Sequence, residues 1–215
     1  MPDEFISAEY TVSNKSKIKK IYEKNKILIY FLIGVLITLS IFFTFYLKNK
    51  ENKRILLGEN YIIAKIYLEE KEKDKALNIL KEIVYANDST YSLLSFFLIL
   101  NQNLISDENE VFELFNYILN EKKIDAEIRN LLIYKKALHS SSFISEKEML
   151  DNIKPLLKDG NIWKPHALLL LGDYFASKNE NLKAKEFYTE ILTIKNLQKN
   201  IYDQVISKLS YVTNE

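Results

Sequence analysis

Apolar residues are distributed along this chain in two ways. Between Ile27 and Leu47 they run as ILIYFLIGVLITLSIFFTFYL, 21 positions without a charge. Beyond Leu57 they recur at intervals of three and four, with breaks of Asp, Asn, Ser and Gly, which is the period of amphipathic helices rather than of strands. The pattern predicts helices over 50–70, 72–86, 89–102, 107–121, 125–140, 145–158, 164–178, 180–194 and 197–212. No segment alternates as a strand would. Asp88, Ser106 and Ser145 stand at N-cap positions, and Glu148 gives Ser145 the capping-box spacing. Gly160 follows a helix end and Pro165 opens a helix, places that suit a left-handed residue and a fixed φ respectively.

The uncharged run is long enough to cross a bilayer, since a helix rising 1.5 Å per residue covers about 30 Å of hydrocarbon in that length. Fifteen of its residues are Leu, Ile, Phe or Val, each worth roughly −0.3 to −0.6 kcal/mol near the bilayer centre. A buried helix of a soluble domain would carry a polar stripe over six turns. A cleaved signal peptide would have a shorter apolar core ending in small residues, whereas this one ends Phe45-Tyr46-Leu47-Lys48. The run therefore reads as a retained single-pass anchor. Lys15, Lys17, Lys19, Lys20, Lys24 and Lys26 precede it, and Lys48, Lys50, Lys53 and Arg54 follow it. This six-to-four bias favours a cytoplasmic N-terminus and places residues 48–215 on the far side, the periplasm of a Gram-negative bacterium with the anchor in its inner membrane. The apolar stretch Tyr91 to Leu100 is too short to span.

Composition narrows the function classes. The 215 residues include only 4 Gly and 3 Pro, few for the many turns of a sandwich or barrel. Thirty Lys and Arg against 29 Asp and Glu leave a net charge of +1, without the basic footprint of a nucleic-acid binder. No cysteine is present, which excludes disulfides, thiolate metal sites and thiol nucleophiles.

Helices of this length joined by short loops predict an all-α domain of antiparallel hairpins stacked as an α-solenoid. Across His166 to Ile194, Leu168, Leu171, Gly172, Phe175, Ala184, Tyr188 and Ile191 stand at the spacings of a tetratricopeptide repeat. The same spacing laid on Tyr61 to Ala86 gives Ala64, Tyr67, Ala76, Leu80 and Ile83, 108 residues earlier. Gly172 and Ala184 are small, so the two helices of the last hairpin are expected to meet there face to face, with Phe175 and Tyr188 filling space toward neighbours. Trp163 is expected to seal the start of that hairpin. The competing reading is an ordinary helical bundle.

One membrane helix after a Lys-rich segment of residues 1–26, followed by degenerate hairpins ending LLLLGDYFASKNENLKAKEFYTEIL, resembles the YfgM-like family. These are ancillary subunits of the SecYEG translocon whose repeat domain is grouped with that of cell division coordinators of the CpoB type. The resemblance implies periplasmic repeats that bind other proteins beside the translocon or among envelope chaperones, and it brings no catalytic residues. A role in cell division or outer-membrane assembly is the alternative, and a helical enzyme or small-ligand sensor is a third.

No constellation for catalysis, cofactor or metal is found. His139 and His166 lack a metal-motif spacing and read as surface residues. Glu69, Glu70, Glu72 and Asp74 alternate with Lys71, Lys73 and Lys75 as a solvated hairpin tip. Stacked hairpins present a concave face of first helices. The groove positions are then Gly58, Tyr61, Lys65 and Leu68 at one end and His166, Leu169, Asp173 and Ala176 at the other. Tyr61, Lys65, His166 and Asp173 are the expected partner contacts. Leu197, Ile201, Val205, Leu209 and Val212 form a stripe on the last helix, expected to cover the terminal hairpin as a cap.

Overall fold

A computed structural model of the chain describes the backbone of residues 3–121 and 124–214, with side chains described from residue 22 onward apart from Ile29, Lys122, Lys123, Asn214 and Glu215. Lys15, Lys17, Lys19 and Lys20 lie outside the described side chains. The described residues are all-helical: α1 Asp3–Glu69, α2 Lys73–Tyr85, α3 Tyr91–Asn101, α4 Glu108–Asn120, α5 Ala126–Ser140, α6 Glu146–Ile153, α7 Lys164–Ser177, α8 Asn181–Leu192 and α9 Lys199–Asn214. A 3₁₀ turn, Lys154–Leu157, follows α6. The chain divides into two units, 1–59 and 60–215.

The first unit is helical from Asp3 onward. The expected separation between the span and a helix starting at residue 50 is absent, because nothing from Lys48 to Arg54 breaks a helix: the segment holds neither Pro nor Gly. Asn25 alone leaves helical geometry, at φ −119° and ψ 16°, two residues before the apolar run. The run is long and apolar enough to cross a membrane, and its described side chains are exposed along its length. Its hydroxyls are satisfied within the helix: Thr38 donates to the Gly34 carbonyl at 2.9 Å, Ser40 to Leu36 at 2.8 Å and Thr44 to Ser40 at 2.8 Å. In hydrocarbon, where water cannot serve these groups, such internal bonds are the available partners.

In the second unit each helix boundary has a local cause. Asp88 Oδ1 accepts from the backbone N–H groups of Thr90 and Tyr91 at the start of α3. Ser145 and Glu148 form the reciprocal capping box on α6. At α4 the cap is Asp107 rather than the expected Ser106, its side chain accepting from Asn109 N–H, since a carboxylate also complements the positive helix end. Pro155 removes a helical N–H, so the element expected over 145–158 finishes as the 3₁₀ turn. Arg129 of α5 donates to the carbonyl oxygens of Leu119 and, at 2.6 Å, Glu121, capping the end of α4 with charge.

Helix ends are closed by residues in the left-handed region: Lys71, Asn87, Asn103, Asn179 and Asn196, with Gly160 at φ +78°. Asparagine tolerates this conformation because its side chain bonds locally, which explains how so many turns form with so little glycine.

Packing follows chain order, with α2 on α3, α4 on α5, α5 on α6, α7 on α8 and α8 on α9. Ala64, Leu80, Phe96, Ile99, Phe115 and Leu132 belong to one core, and Ala137, Met149, Leu171, Phe175, Tyr188 and Val205 to a second. Helix α5 serves both, giving Leu132 to the first and Ala137 to the second. Ala64, Ala76, Phe175, Ala184 and Tyr188 are buried, and Tyr67 is half-buried beneath the Lys75 ammonium. Within α9, Ile201, Val205 and Val212 are buried and Leu197 and Leu209 half-buried beside them, so the stripe covers α7 and α8 as expected.

At Gly172 the nearest side chain is the ring of Tyr188, which the spacing had placed toward neighbouring helices. A Cβ at Gly172 would fall inside van der Waals distance of the Tyr188 ring, 2.8 Å from Cζ. That ring is held by its hydroxyl, which donates to Asp173 Oδ1 at 2.7 Å, and so has little freedom to retreat. Ala for Gly in a helix interior ordinarily gains about 1 kcal/mol. Here Gly172→Ala is expected to lower the melting temperature, and Gly172→Leu to cost on the order of 1–3 kcal/mol by overpacking. Thermal unfolding followed by circular dichroism checks both, and a stabilised Gly172→Ala protein would refute the contact.

Candidate functional site

The expected groove residues separate into those that remain available and those used internally. Lys65 is exposed on α1, with Gly58, Tyr61 and Leu68 half-buried. The Tyr61 ring lies 6.3 Å from that of Tyr91 and packs on the first core, so it joins α1 to α3 as well as edging the surface. Ala176 is half-buried.

At the other end the expectation needs correction. Leu169 is buried in the second core and offers no surface. Asp173 accepts from the Tyr188 hydroxyl and meets the Lys208 ammonium at 2.7 Å. Its charge is thus engaged between α7, α8 and α9, and the opposition of Lys65 to a free Asp173 does not arise. The cause is α9, whose docking brings Lys208 to a residue that would otherwise face an open groove. The Tyr188 hydroxyl is pushed far up from the ordinary tyrosine range by burial, then by the Asp173 bond and charge.

Both histidines are half-buried rather than fully exposed. His166 is half-buried with its ring 5.5 Å from Trp163 and 6.1 Å from Tyr134, and burial holds its imidazole below the usual histidine range. Trp163 also donates from Nε1 to Glu127 Oε2 at 3.1 Å, so it ties α7 to α5 rather than only closing the last hairpin. His139 sits between Phe112 and Phe115, with Nε2 2.5 Å from Glu108. Among the described residues no three His, Asp or Glu side chains converge as a metal site.

The middle of the domain holds a feature the repeat spacing did not reveal. Helices α3, α4 and α5 enclose a cleft of about 190 Å³ lined by Ile99, Ile105, Val111, Phe115, Leu138 and Lys135. Leu138 is 48% exposed at its edge. A signal was present in the sequence: Lys135 and Lys136 have no acidic residue within four positions on either side, in LLIYKKALHS, whereas most other lysines do. No family model, curated protein or solved structure matches the chain.

Proposed function

We propose that the protein is a membrane-tethered interaction scaffold: a single-pass anchor with its N-terminus in the cytoplasm, bearing a periplasmic solenoid of degenerate tetratricopeptide-type hairpins that binds other proteins at the inner membrane. The observation that carries this reading is the recurrence, at an interval of 108 residues, of one hairpin turn together with the same buried positions on its two helices. At Lys71 and again at Asn179 a left-handed residue closes the first helix. Glu72 N–H reaches the Tyr67 carbonyl at 2.8 Å in one, and Glu180 N–H reaches the Phe175 carbonyl at 3.0 Å in the other. The equivalent pairs Ala64 and Gly172, Ala76 and Ala184, Leu80 and Tyr188 are all buried. Two such turns with the same buried positions are what a repeated packing unit requires. With α9 closing the far end, binding falls to Lys65, Tyr61, Leu68 and the surface between α3 and α7. The resemblance to YfgM-like proteins makes the Sec translocon, or the envelope chaperones beside it, the expected partner.

Affinity isolation of the full-length protein in mild detergent tests this reading. Translocon subunits should be recovered, and recovery should survive exchange of residues 27–47 for an unrelated apolar helix. Division or outer-membrane assembly proteins in their place would move the scaffold to that setting, and loss on exchange would assign binding to the span. A reporter active only outside the cytosol, fused after Glu215, should be active; a cytosol-active reporter there would reverse the orientation.

A further inference from the structure

Charge in the first unit is sorted by distance from the apolar run. Residues 3–14 carry Asp3, Glu4 and Glu9 and no base, whereas residues 15–26 carry six lysines and one acid, Glu23, a net +5. On the other side of the run, residues 48–59 hold four bases and two acids. The backbone of the lysine-rich stretch is helical up to Asn25. Its register sets Lys15 four positions from Lys19, Lys20 four from Lys24 and Lys17 three from Lys20, spacings at which like charges destabilise a helix. One glutamate among six lysines offsets only part of that repulsion, so a helix here calls for negative charge from outside the chain.

The break at Asn25 stands where that charge would be met. The Tyr22 and Tyr30 hydroxyls lie 2.5 Å apart across it, with their rings edge-on at 6.4 Å. Tyrosine, an apolar ring with a polar tip, suits the headgroup level of a bilayer, and Lys26 directly precedes the first apolar residue of the run. A helix continuing straight from the run would hold Lys15, twelve residues before Ile27, about 18 Å from the hydrocarbon edge. That exceeds the screening distance of about 8 Å at physiological salt. The non-helical geometry of Asn25 gives the basic stretch a direction of its own, so that all six lysines can lie within reach of one surface.

We propose that residues 15–26 recognise anionic phospholipid headgroups, whose phosphates supply the counter-charge at the surface where the N-terminal end of the span emerges. The inference rests on the reading of residues 27–47 as a membrane anchor and holds for either orientation. A cluster of this size beside a membrane helix is what anionic lipid selects. The order of charges favours a membrane over free phosphate or nucleic acid: the bases abut the apolar run and the acids Asp3, Glu4 and Glu9 lie farthest from it, as a planar negative surface at the end of the run requires.

The test uses full-length protein reconstituted in symmetric phosphatidylcholine vesicles, with a trace of spin-labelled phosphatidylglycerol or spin-labelled phosphatidylcholine as probe. Electron spin resonance separates lipid held at the protein from bulk lipid, and symmetric vesicles make the result independent of the direction of insertion. The held population should favour phosphatidylglycerol at least about fivefold, the factor one lysine near an anionic surface contributes, and should lose the preference at high salt. Lys17→Gln, Lys19→Gln, Lys20→Gln and Lys24→Gln together should bring it close to parity, while Lys48→Gln, Lys50→Gln and Lys53→Gln together should keep most of it. An alkaline wash confirms that each variant is still inserted. No preference in the parent, a preference unchanged in the quadruple variant, or one lost in the triple variant instead would overturn the inference. So would loss of the preference when phosphate replaces chloride at equal ionic strength, which marks a free-phosphate site. Oligonucleotide binding at physiological salt that only the quadruple variant loses would give the lysines to nucleic acid and overturn it equally. Held lipid without preference leaves the anchor reading standing, whereas the absence of any held lipid would remove that reading as well.

Discussion

Full-length protein carrying Leu36→Asp and Leu39→Asp is expected to leave the membrane fraction. Both positions lie near the middle of the run from Ile27 to Leu47, where the hydrocarbon is deepest. The fifteen strongly apolar residues of that run favour insertion by roughly 5–9 kcal/mol, and each central Asp costs about 2.5–3.5 kcal/mol besides the lost leucine. Two substitutions therefore remove most of the driving force. Aspartate is the stringent choice, because its short side chain cannot snorkel to the interface as lysine does. Leu36→Ala with Leu39→Ala should remain in the membrane, keeping length and neutrality. Fractionation with an alkaline wash separates the outcomes, and retention of the double Asp protein would mean that something other than the span holds it there.

Tyr188→Ala should be the most damaging single substitution in the helical body. The residue is 1% exposed, lies against Gly172 and bonds Asp173, which in turn meets Lys208 of α9. Truncating a buried aromatic of this kind costs about 3–5 kcal/mol, and here the cavity also opens the seam on which α9 rests. Tyr188→Phe keeps the ring and loses one charged hydrogen bond, about 1.5–3 kcal/mol. The pH response gives a second readout with a definite sign. The hydroxyl's pKa is raised in the folded state, so the native protein keeps a proton that the unfolded chain releases near pH 10. Its contribution is complete below that pH and is lost as pH rises above it. Parent protein should lose stability above pH 10 faster than Tyr188→Phe, by denaturant melts at successive pH values. Equal slopes would show that the hydroxyl is not held in this way.

Local signals in the sequence were enough for the helices and most of their ends. The three- and four-residue intervals located α2 to α9 within a few residues, and the Ser145 capping box and Gly160 turn needed only neighbours in the chain. A helix long and apolar enough to cross a membrane was equally legible, because that property depends on one run of side chains and its length. Where local signals were balanced, the reading slipped. Ser106 and Asp107 are both competent caps, and the carboxylate took the position. The continuity of α1 through Lys48 to Arg54 turned on the absence of a breaker, which periodicity alone does not register.

Which side chains face one another was decided by tertiary structure. The spacing marked Gly172, Ala184 and Tyr188 as packing positions, but only the approach of α8 to α7 put the Tyr188 ring against Gly172. Asp173 had the spacing of a groove residue until α9, more than thirty positions along the chain, supplied Lys208. His139 and His166 looked exposed because the rings of Phe112 and Phe115 beside the first and of Tyr134 beside the second come from other helices, Trp163 alone being a neighbour of His166 in the chain. The cleft beside Lys135 needs three helices to exist at all. Helix formation and capping are settled by groups within a turn or two of each other, whereas ion pairing and burial are settled by packing between segments that the chain order leaves far apart.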